Sequence, residues 1–158
     1  MPEVGGQAMW NQSSLVREYG SVGVNLPQED MLELIAAAAQ AQKMAYAPYS
    51  RFPVGAVLLA SDGMIYAGCN VENASYGLTI CAERNALAHA VLCGAKQFTA
   101  VAVVTENGVT PCGACRQVLA EFGPRMTVIV ADTRGNQQVY SLAELLPDAF
   151  GPANLAEK

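Results

Sequence analysis

Four side chains in two short motifs could together hold a metal ion and move a proton. Cys81 and Glu83 stand two residues apart in the first motif, and Cys112 and Cys115 stand three apart in the second. Three thiolates bind Zn²⁺ and leave one position of its tetrahedron open, which is typical of a catalytic rather than a structural zinc. The Glu83 carboxylate is then free to move protons to and from a water activated by the metal. The two motifs therefore predict an enzyme.

Two other uses of these cysteines remain open from the motifs alone. A closed structural zinc would need a fourth ligand, and the candidates are Cys69, Cys93 and His89. His89 lies two helical turns beyond Cys81, about 12 Å along a helix, and is expected at the surface or at a subunit contact. A redox use of Cys112 and Cys115, as in thioredoxin, would leave the Cys81 motif unexplained.

The negative charge of three thiolates on one zinc calls for a nearby cation. Without one, the excess charge works against lowering the pKa of a bound water. Arg84 follows Glu83 directly, and Arg116 follows Cys115. We favour Arg84 as a donor to a thiolate sulfur, while Arg116 is open to interpretation as a solvated helix residue.

The elements that must position these groups are the first turns of two helices. Cys112 and Cys115 share one side of a helix at this spacing, and Pro111 suits a helix start. Cys81 and Glu83 would point in nearly opposite directions within a helix, so they converge only if Cys81 opens it. Two helix N-termini would then face one zinc, and their free N–H groups and positive dipole ends would stabilise thiolates.

The chain as a whole predicts nine elements in the order α-β-β-α-β-α-β-β-α. The predicted bounds are a helix over 27–45, strands over 54–60 and 64–69 joined by an Asp-Gly turn, a helix over 81–92, a strand over 98–105, a helix over 112–122, strands over 126–131 and 137–140, and a helix that begins with a capping box at 141–144. We expect Asn25 to cap the first helix and Gly94 to end the second. This order predicts an α/β fold, a three-layer α-β-α sandwich around a mixed five-stranded sheet.

Composition limits the class of protein. The chain has 158 residues, a net charge of −5 and nine scattered Lys and Arg residues, which disfavours nucleic acid as a partner. No apolar run approaches a membrane span of about 20 residues, and we see no secretory signal. Five cysteines, three of them in the motifs, predict a reducing cytoplasm rather than a disulfide framework. Gly-punctuated residues 1–27, which contain Trp10, predict a flexible or partner-docked extension before a catalytic domain at 28–158.

Five separated motifs resemble the cytidine deaminases, specifically the small homotetrameric zinc-dependent type. The motifs lie at 44–55, 68–74, 81–84, 111–117 and 145–150, and the resemblance covers about residues 28–155. It implies hydrolytic deamination of cytidine and 2′-deoxycytidine to the uridines with release of ammonia, in cytoplasmic pyrimidine salvage. It also implies one Zn²⁺ per subunit, a nucleoside substrate, and a homotetramer with shared active sites.

The resemblance also implies a role for each matching residue. Cys81, Cys112 and Cys115 would bind zinc, and Glu83 would protonate N3 of the pyrimidine and then the departing ammonia. At the base, the resemblance implies packing by Phe52 and contacts from the backbone of Ala82 and Thr110. At the sugar, it implies contacts from Asn70 and Glu72 to the 3′-hydroxyl, and from Ala74 and Tyr76 to the 5′ end of the nucleoside in an adjacent site. Phe150 would reach a neighbouring subunit's site, and Arg84 and Gln117 would support the metal ligands.

Three departures from the family pattern stand out, and other functions remain open. Asn85 stands where Thr is usual, Thr110 stands where Ser is common, and the extension has no counterpart that we can match. A related enzyme could act on a modified cytosine nucleoside that carries an N4 or C5 substituent or is of the blasticidin type. Polynucleotide deaminases are disfavoured by the acidic charge. A non-catalytic zinc module is the rival from another class, and it would make Glu83 dispensable.

Overall fold

The computed structural model describes residues 25–155, so Trp10 and most of the predicted extension lie outside the described residues. The elements in chain order are α1 (Gln28–Gln42), β1 (Gly55–Ala60), β2 (Ile65–Cys69), α2 (Ala82–Leu92), β3 (Phe98–Thr105), α3 (Gly113–Ala120), β4 (Thr127–Asp132), β5 (Gln137–Ser141) and α4 (Leu142–Leu145), with short 3₁₀ turns at Tyr76–Leu78 and Pro152–Leu155. Setting the two 3₁₀ turns aside, the predicted order of helices and strands is confirmed.

The five strands form one mixed sheet in the order β2-β1-β3-β4-β5. Only β3 and β4 run parallel, and the other neighbours are antiparallel. The apolar runs of β1 and β3 are buried along their whole length, as expected for strands covered on both faces. One core forms between the sheet and α1, and a second forms between the other face and α2, α3 and α4. The predicted three-layer sandwich is therefore confirmed.

Two glycines allow helices to approach the sheet at backbone distance. A Cβ on Gly68 of β2 would lie 2.3 Å from the Ala86 nitrogen and 2.6 Å from the Ala82 carbonyl oxygen of α2. A Cβ on Gly55 of β1 would lie 2.0 Å from the Ala38 carbonyl oxygen of α1. Only glycine fits at such contacts, so Gly68 sets how closely the first turns of α2 lie against the sheet.

Several predicted helix ends were wrong. Pro27 occupies the cap position of α1 and no side chain caps it, so Asn25 lies too early in the chain to act as the cap. The helix also ends at Gln42 rather than at 45, because the chain turns into an isolated bridge between Tyr46 and Val71. Helix α3 is shorter than 112–122, because Cys112 is its cap and the helix ends at Ala120, while Pro111 directly precedes the cap.

The hairpin turn and the last helix follow their sequence signals. Gly63 has φ of 86° in the Asp-Gly turn between β1 and β2, where a positive φ is required. Ser141 and Glu144 form the predicted capping box at the start of α4. All five cysteines are free, and none of the helices described between 25 and 155 is both long and apolar enough to cross a membrane.

Candidate active site

The two cysteine motifs meet where α2 and α3 begin. Cys81 is the cap residue of α2 and Cys112 is the cap residue of α3, both with extended backbone (ψ of 156° and 165°). Cys115 is fully buried within the first turn of α3. The three Sγ atoms all lie within 4.8 Å of one another, and the Sγ atoms of Cys81 and Cys112 are 4.0 Å apart. Helix starts therefore bring the thiols together, as the spacing predicts.

The donor set and its spacing fit zinc. Zn–S bonds of 2.3 Å in a tetrahedron place sulfurs about 3.8 Å apart, so the cluster needs only a small contraction to hold the ion. Thiolates are ligands that Zn²⁺ accepts readily. No fourth His, Cys or carboxylate joins this group in the part of the chain that the structure describes. An open coordination position is what a catalytic zinc requires.

The alternative fourth ligands lie elsewhere. Cys69 contacts the Met44 carbonyl oxygen at 3.4 Å, and Cys93 is the exposed cap at the far end of α2. His89 is exposed, and its ring lies edge-on to Tyr66 at 5.7 Å between centroids. The prediction that His89 lies at the surface, away from the metal site, agrees with this position.

The cluster is electrostatically biased toward a thiolate. A hydrogen bond from Cys115, together with donation from Arg84, lowers the pKa of Cys81 to about 5. Arg84 Nη2 lies 3.6 Å from Cys81 Sγ and 3.4 Å from the Thr79 carbonyl oxygen. Donation to Cys81 and burial raise the pKa of Cys115 above its ordinary value. Arg84 therefore favours negative charge on the Cys81 sulfur.

Glu83 is the one buried carboxyl group beside the three thiols among the described residues. Its side chain lies in the first turn of α2 and is 4% exposed. Burial raises the pKa of Glu83 above that of a solvated glutamate, and the nearby Cys81 charge acts in the same direction. A carboxyl group of raised pKa is suited to accept and return protons near neutral pH.

A cavity of about 290 Å³ opens in front of the cluster. Its volume suits a small molecule rather than a polymer. The predicted site residues that line it are Phe52, Asn70, Glu72, Cys81, Glu83, Thr110 and Cys112. The cavity therefore unites four of the five motifs, and their lining residues are separated by up to 60 residues in the chain.

The wall opposite the cysteines is a loop held by two side chains. The Asn70 side chain accepts a hydrogen bond from Val54 N at 2.8 Å and donates to the Phe52 carbonyl oxygen at 3.0 Å. The Glu72 carboxylate accepts from Tyr49 N at 2.9 Å and Ser50 N at 3.2 Å, and from the Ser50 hydroxyl. The Ser50 hydroxyl in particular holds the pKa of Glu72 below its usual value.

Ser50 is a residue whose role sequence reasoning missed. It lines the cavity, donates its hydroxyl to Glu72 and accepts from Phe52 N at 3.0 Å. The signal available was a serine two residues after Pro48, which favours a side chain–backbone turn. Nothing local indicated that its partner would lie 22 residues away.

Arg116 has a different role from either interpretation of the sequence. Its guanidinium donates to the Pro111 and Leu145 carbonyl oxygens, each at 2.7 Å, and to Thr110 Oγ1 at 2.8 Å. It therefore fixes the segment that carries Cys112 instead of lying solvated or donating to sulfur. Asn85 acts similarly on α2, because its side chain donates to the Cys69 carbonyl oxygen at 2.9 Å.

Besides Arg84 and Cys115, five other predicted residues do not line this cavity. Tyr76 is 74% exposed and packs its ring against Tyr49 at 5.8 Å, beside a smaller neighbouring cavity. Ala74 is also exposed. Phe150 is 59% exposed, and Gln117 donates to its carbonyl oxygen at 2.8 Å rather than approaching the cysteines. The remaining predicted contact, Ala82, is fully buried as the first residue of α2.

Comparison with known proteins places this site in a family. The family model described as "Cytidine and deoxycytidylate deaminase zinc-binding region" matches residues 28–131. A cytidine deaminase from Sporosarcina psychrophila is 51% identical over 130 residues, which are 80% of this chain and 96% of that protein. A cytidine deaminase from Mycobacterium tuberculosis is 45% identical over 128 residues, 80% of this chain and 93% of that protein.

Solved structures of cytidine deaminases share the fold of this chain. The crystal structure of cytidine deaminase from Burkholderia pseudomallei superposes with a TM-score of 0.74 at 49% identity, covering 79% of this chain and all of that one. The matched family region includes Cys81, Cys112 and Cys115, the cluster able to hold the metal ion. The chain therefore belongs to the cytidine and deoxycytidylate deaminase family of zinc-binding enzymes.

Proposed function

We propose that the protein hydrolyses cytidine and 2′-deoxycytidine to uridine and 2′-deoxyuridine and releases ammonia, as an enzyme of pyrimidine salvage. The observation that carries this proposal is the position of Glu83. Its buried carboxyl group shares one cavity with Cys81 and Cys112, beside the third thiol of a three-cysteine cluster. A purely structural metal site would have no use for a buried carboxyl group beside it.

The assignment of roles follows from chemistry. Cys81, Cys112 and Cys115 are the residues that would hold zinc, and the bound ion supplies a water that is nucleophilic near neutral pH. Glu83 accepts a proton from the attacking water and passes it to N3 of the pyrimidine ring, which makes C4 electrophilic. Once the water oxygen is bonded to C4, Glu83 takes the remaining proton of that oxygen and delivers it to the amine, and the C4–N bond breaks to release ammonia. Arg84 stabilises the thiolate charge through Cys81. Phe52 packs against the base, and the backbone of Ala82 and Thr110 contacts the base edge.

The loop wall supports recognition of a sugar hydroxyl. One N–H of the Asn70 amide is used by the Phe52 carbonyl oxygen, which leaves the second available. The Glu72 carboxylate has about four acceptor positions, of which three are taken by Tyr49 N, Ser50 N and the Ser50 hydroxyl. One free donor and one free acceptor match a hydroxyl that both accepts and donates, and we assign them to the 3′-hydroxyl.

The decisive experiment measures ammonia release from cytidine by the wild type and by Glu83→Ala and Glu83→Gln, with zinc content measured for each. We expect both variants to retain zinc and to lose at least about 10³-fold in kcat, because the proton transfers are lost. Turnover retained in Glu83→Ala would refute the mechanism. A wild type that holds zinc but does not turn over cytidine would redirect the search to modified cytosine nucleosides.

Sugar recognition has its own test. We expect Glu72→Gln to lower kcat/KM for cytidine by about 10–100-fold, because a charged hydrogen bond to the hydroxyl is lost. The same variant should change kcat/KM for 3′-deoxycytidine by less than about threefold. Equal losses on both substrates would show that Glu72 acts only by holding the loop.

The proposal includes a homotetramer with shared active sites. Supporting it, Phe150 is 59% exposed and does not line the cavity in front of the cysteines, which leaves it available to the site of a neighbouring subunit. Ala74 and Tyr76 are likewise exposed for a neighbouring site. Sedimentation combined with activity should show that the active species is the tetramer, and an active monomer would refute the shared site.

Domain limits and compartment complete the proposal. We assign residues 28–158 to the catalytic domain, with the preceding residues as an extension, although Leu26 already belongs to the packed core. Five free cysteines with a thiolate metal site suit a reducing compartment, and we place the protein in the cytoplasm. Cell fractionation that recovered the native protein elsewhere would contradict this placement.

A further inference from the structure

One face of the sheet is covered over only part of its width. Helix α1 packs across β2, β1, β3 and part of β4. The edge strand β5 is paired so that Val139 lies opposite Ile129 on this same face. Ile129 is fully buried in the core beneath α1, whereas Val139 is 50% exposed in the described part of the chain. On the opposite face, α4 packs against β5. The layer formed by α1 is therefore narrower than the sheet and leaves β5 uncovered by α1.

A groove of about 480 Å³ lies at this uncovered end, between the start of α1 and β5. Leu26, Met31 and Val139 form its apolar lining, and Arg125 lies at its rim. Asn25, the first described residue, lines the groove as well. Asn25, where the preceding 24 residues join the described part of the chain, therefore lies at the groove.

The same face carries a buried acceptor without a partner. Gln137 of β5 is paired with Ala131, which belongs to the core beneath α1. The Gln137 Oε1 atom is buried and accepts no hydrogen bond from the described residues. An unsatisfied buried acceptor costs about 1–3 kcal/mol, so a donor placed over this end of the sheet would be stabilising.

We propose that residues 10–24 of the same chain lie over this groove and complete the α1 layer. The segment carries an apolar side chain at Trp10, Leu15, Val16, Tyr19, Val22 and Val24. Fifteen residues reach about 22 Å as a helix and about 50 Å when extended, and the five residues of β5 are only about 17 Å long. The segment is therefore long enough to span the strand.

Chain continuity favours this occupant over a separate molecule. A segment joined directly to the groove is held there at an effective concentration of about millimolar. The apolar lining on the Val139 side needs an apolar cover, and Leu26 shows the chain already entering the core at 7% exposure. A second copy or another protein would have to compete with this tethered segment.

Limited trypsin digestion of the full-length, zinc-loaded protein tests the proposal. Arg17 is the only Lys or Arg before Asn25, so release of the first 17 residues reports directly on this segment. We expect slow cleavage at Arg17 in the wild type and about tenfold faster cleavage in Val139→Glu, because the charge disrupts an apolar contact. Glutamate adds no new tryptic site.

A matched control lies next to Val139 on the same strand. Gln138 is paired with Val130, which belongs to the opposite core, so its side chain is on the other face. Gln138→Glu introduces the same charge and should leave cleavage within about twofold of wild type. Both variants should deaminate cytidine at the wild-type rate, since neither residue lines the catalytic cavity.

A second set of variants changes residues 10–24 instead of the groove. Leu15→Glu should accelerate cleavage at Arg17 as Val139→Glu does, and the double variant should show little further acceleration. The emission of Trp10, the only tryptophan, should shift to longer wavelength in these variants. The proposal is overturned if trypsin cuts Arg17 in the wild type as fast as in a free peptide, or if Val139→Glu leaves the cleavage rate unchanged. It is also overturned if dilution of the protein speeds cleavage at Arg17, because another molecule would then be the occupant of the groove.

Discussion

The two walls of the catalytic cavity are built by different means. The cysteine wall, made of Cys81, Glu83, Cys112 and Cys115, comes from the starts of two helices. The loop wall, residues 49–54, has no regular structure and is held by side chains of Asn70 and Glu72. One wall is organised by helix geometry over a few residues, and the other by hydrogen bonds between distant residues. Each cysteine therefore takes its position from local helix geometry, whereas the loop wall is positioned throughout by contacts between distant residues.

Of the substitutions in the cysteine wall, removal of a thiol should cause the largest loss of zinc and of activity. Cys115→Ala deletes a fully buried member of the cluster, so we expect loss of stoichiometric zinc and a fall in activity of at least about 10³-fold. Metal analysis and ammonia release measure both effects. Cys69→Ala is the control, because Cys69 lies outside the cluster, and zinc retained at one per chain in Cys115→Ala would contradict the assignment.

Displacing α2 tests whether the cysteine wall depends on the sheet behind it. Gly68→Ala places a Cβ 2.3 Å from the Ala86 nitrogen, and we expect a loss of about 3 kcal/mol in the free energy of unfolding. Gly77→Ala is the matched control, since nothing lies within 4 Å of its added Cβ. Urea unfolding of zinc-loaded protein measures the difference, and equal stability of the two variants would show that α2 moves without cost.

A variant of Arg116 tests how far zinc affinity depends on the position of the Cys112 segment, because Arg116 is not itself a metal ligand. Arg116→Lys keeps the charge but cannot reach all three acceptors, which include the Pro111 carbonyl oxygen and Thr110 Oγ1. We expect zinc affinity to fall by about 10–100-fold, with activity restored by excess zinc. Competition with a chelator measures the affinity. Unchanged affinity would mean that the Cys112 segment holds its conformation unaided.

A substitution in the loop wall should have the smallest effect of these variants, and it should change kcat/KM but not zinc content. Ser50→Ala removes the hydroxyl that joins Glu72 to Phe52 N, and we expect kcat/KM for cytidine to fall by about tenfold. Zinc content should stay at the wild-type value. Ser61→Ala removes a half-buried hydroxyl that donates to the Gln97 carbonyl oxygen outside the cavity, and its zinc content and kcat/KM should match the wild type. Loss of zinc in Ser50→Ala would show that the two walls are not independent.

The difference between the walls also explains what could be predicted from the sequence. Cys81 and Cys112 at helix starts, the order of elements and the capping box at Ser141 all follow from spacing within a few residues. The end of α1 was wrong because Tyr46 pairs with Val71 across the fold. Arg116 was misread because its acceptor at Leu145 lies 29 residues away.

Sequence alone indicated the three cysteines able to hold a metal ion, a candidate acid–base group in Glu83 and the three-layer fold, because residue type, periodicity and i, i+3 spacing act locally. Tertiary structure alone decided that Ser50, Asn70 and Glu72 form one hydrogen-bonded wall and that Arg116 clamps the metal segment. It also decided that α1 leaves the β5 end of the sheet open. These features depend on which distant atoms become neighbours when the sheet forms, and no local pattern in the chain encodes that.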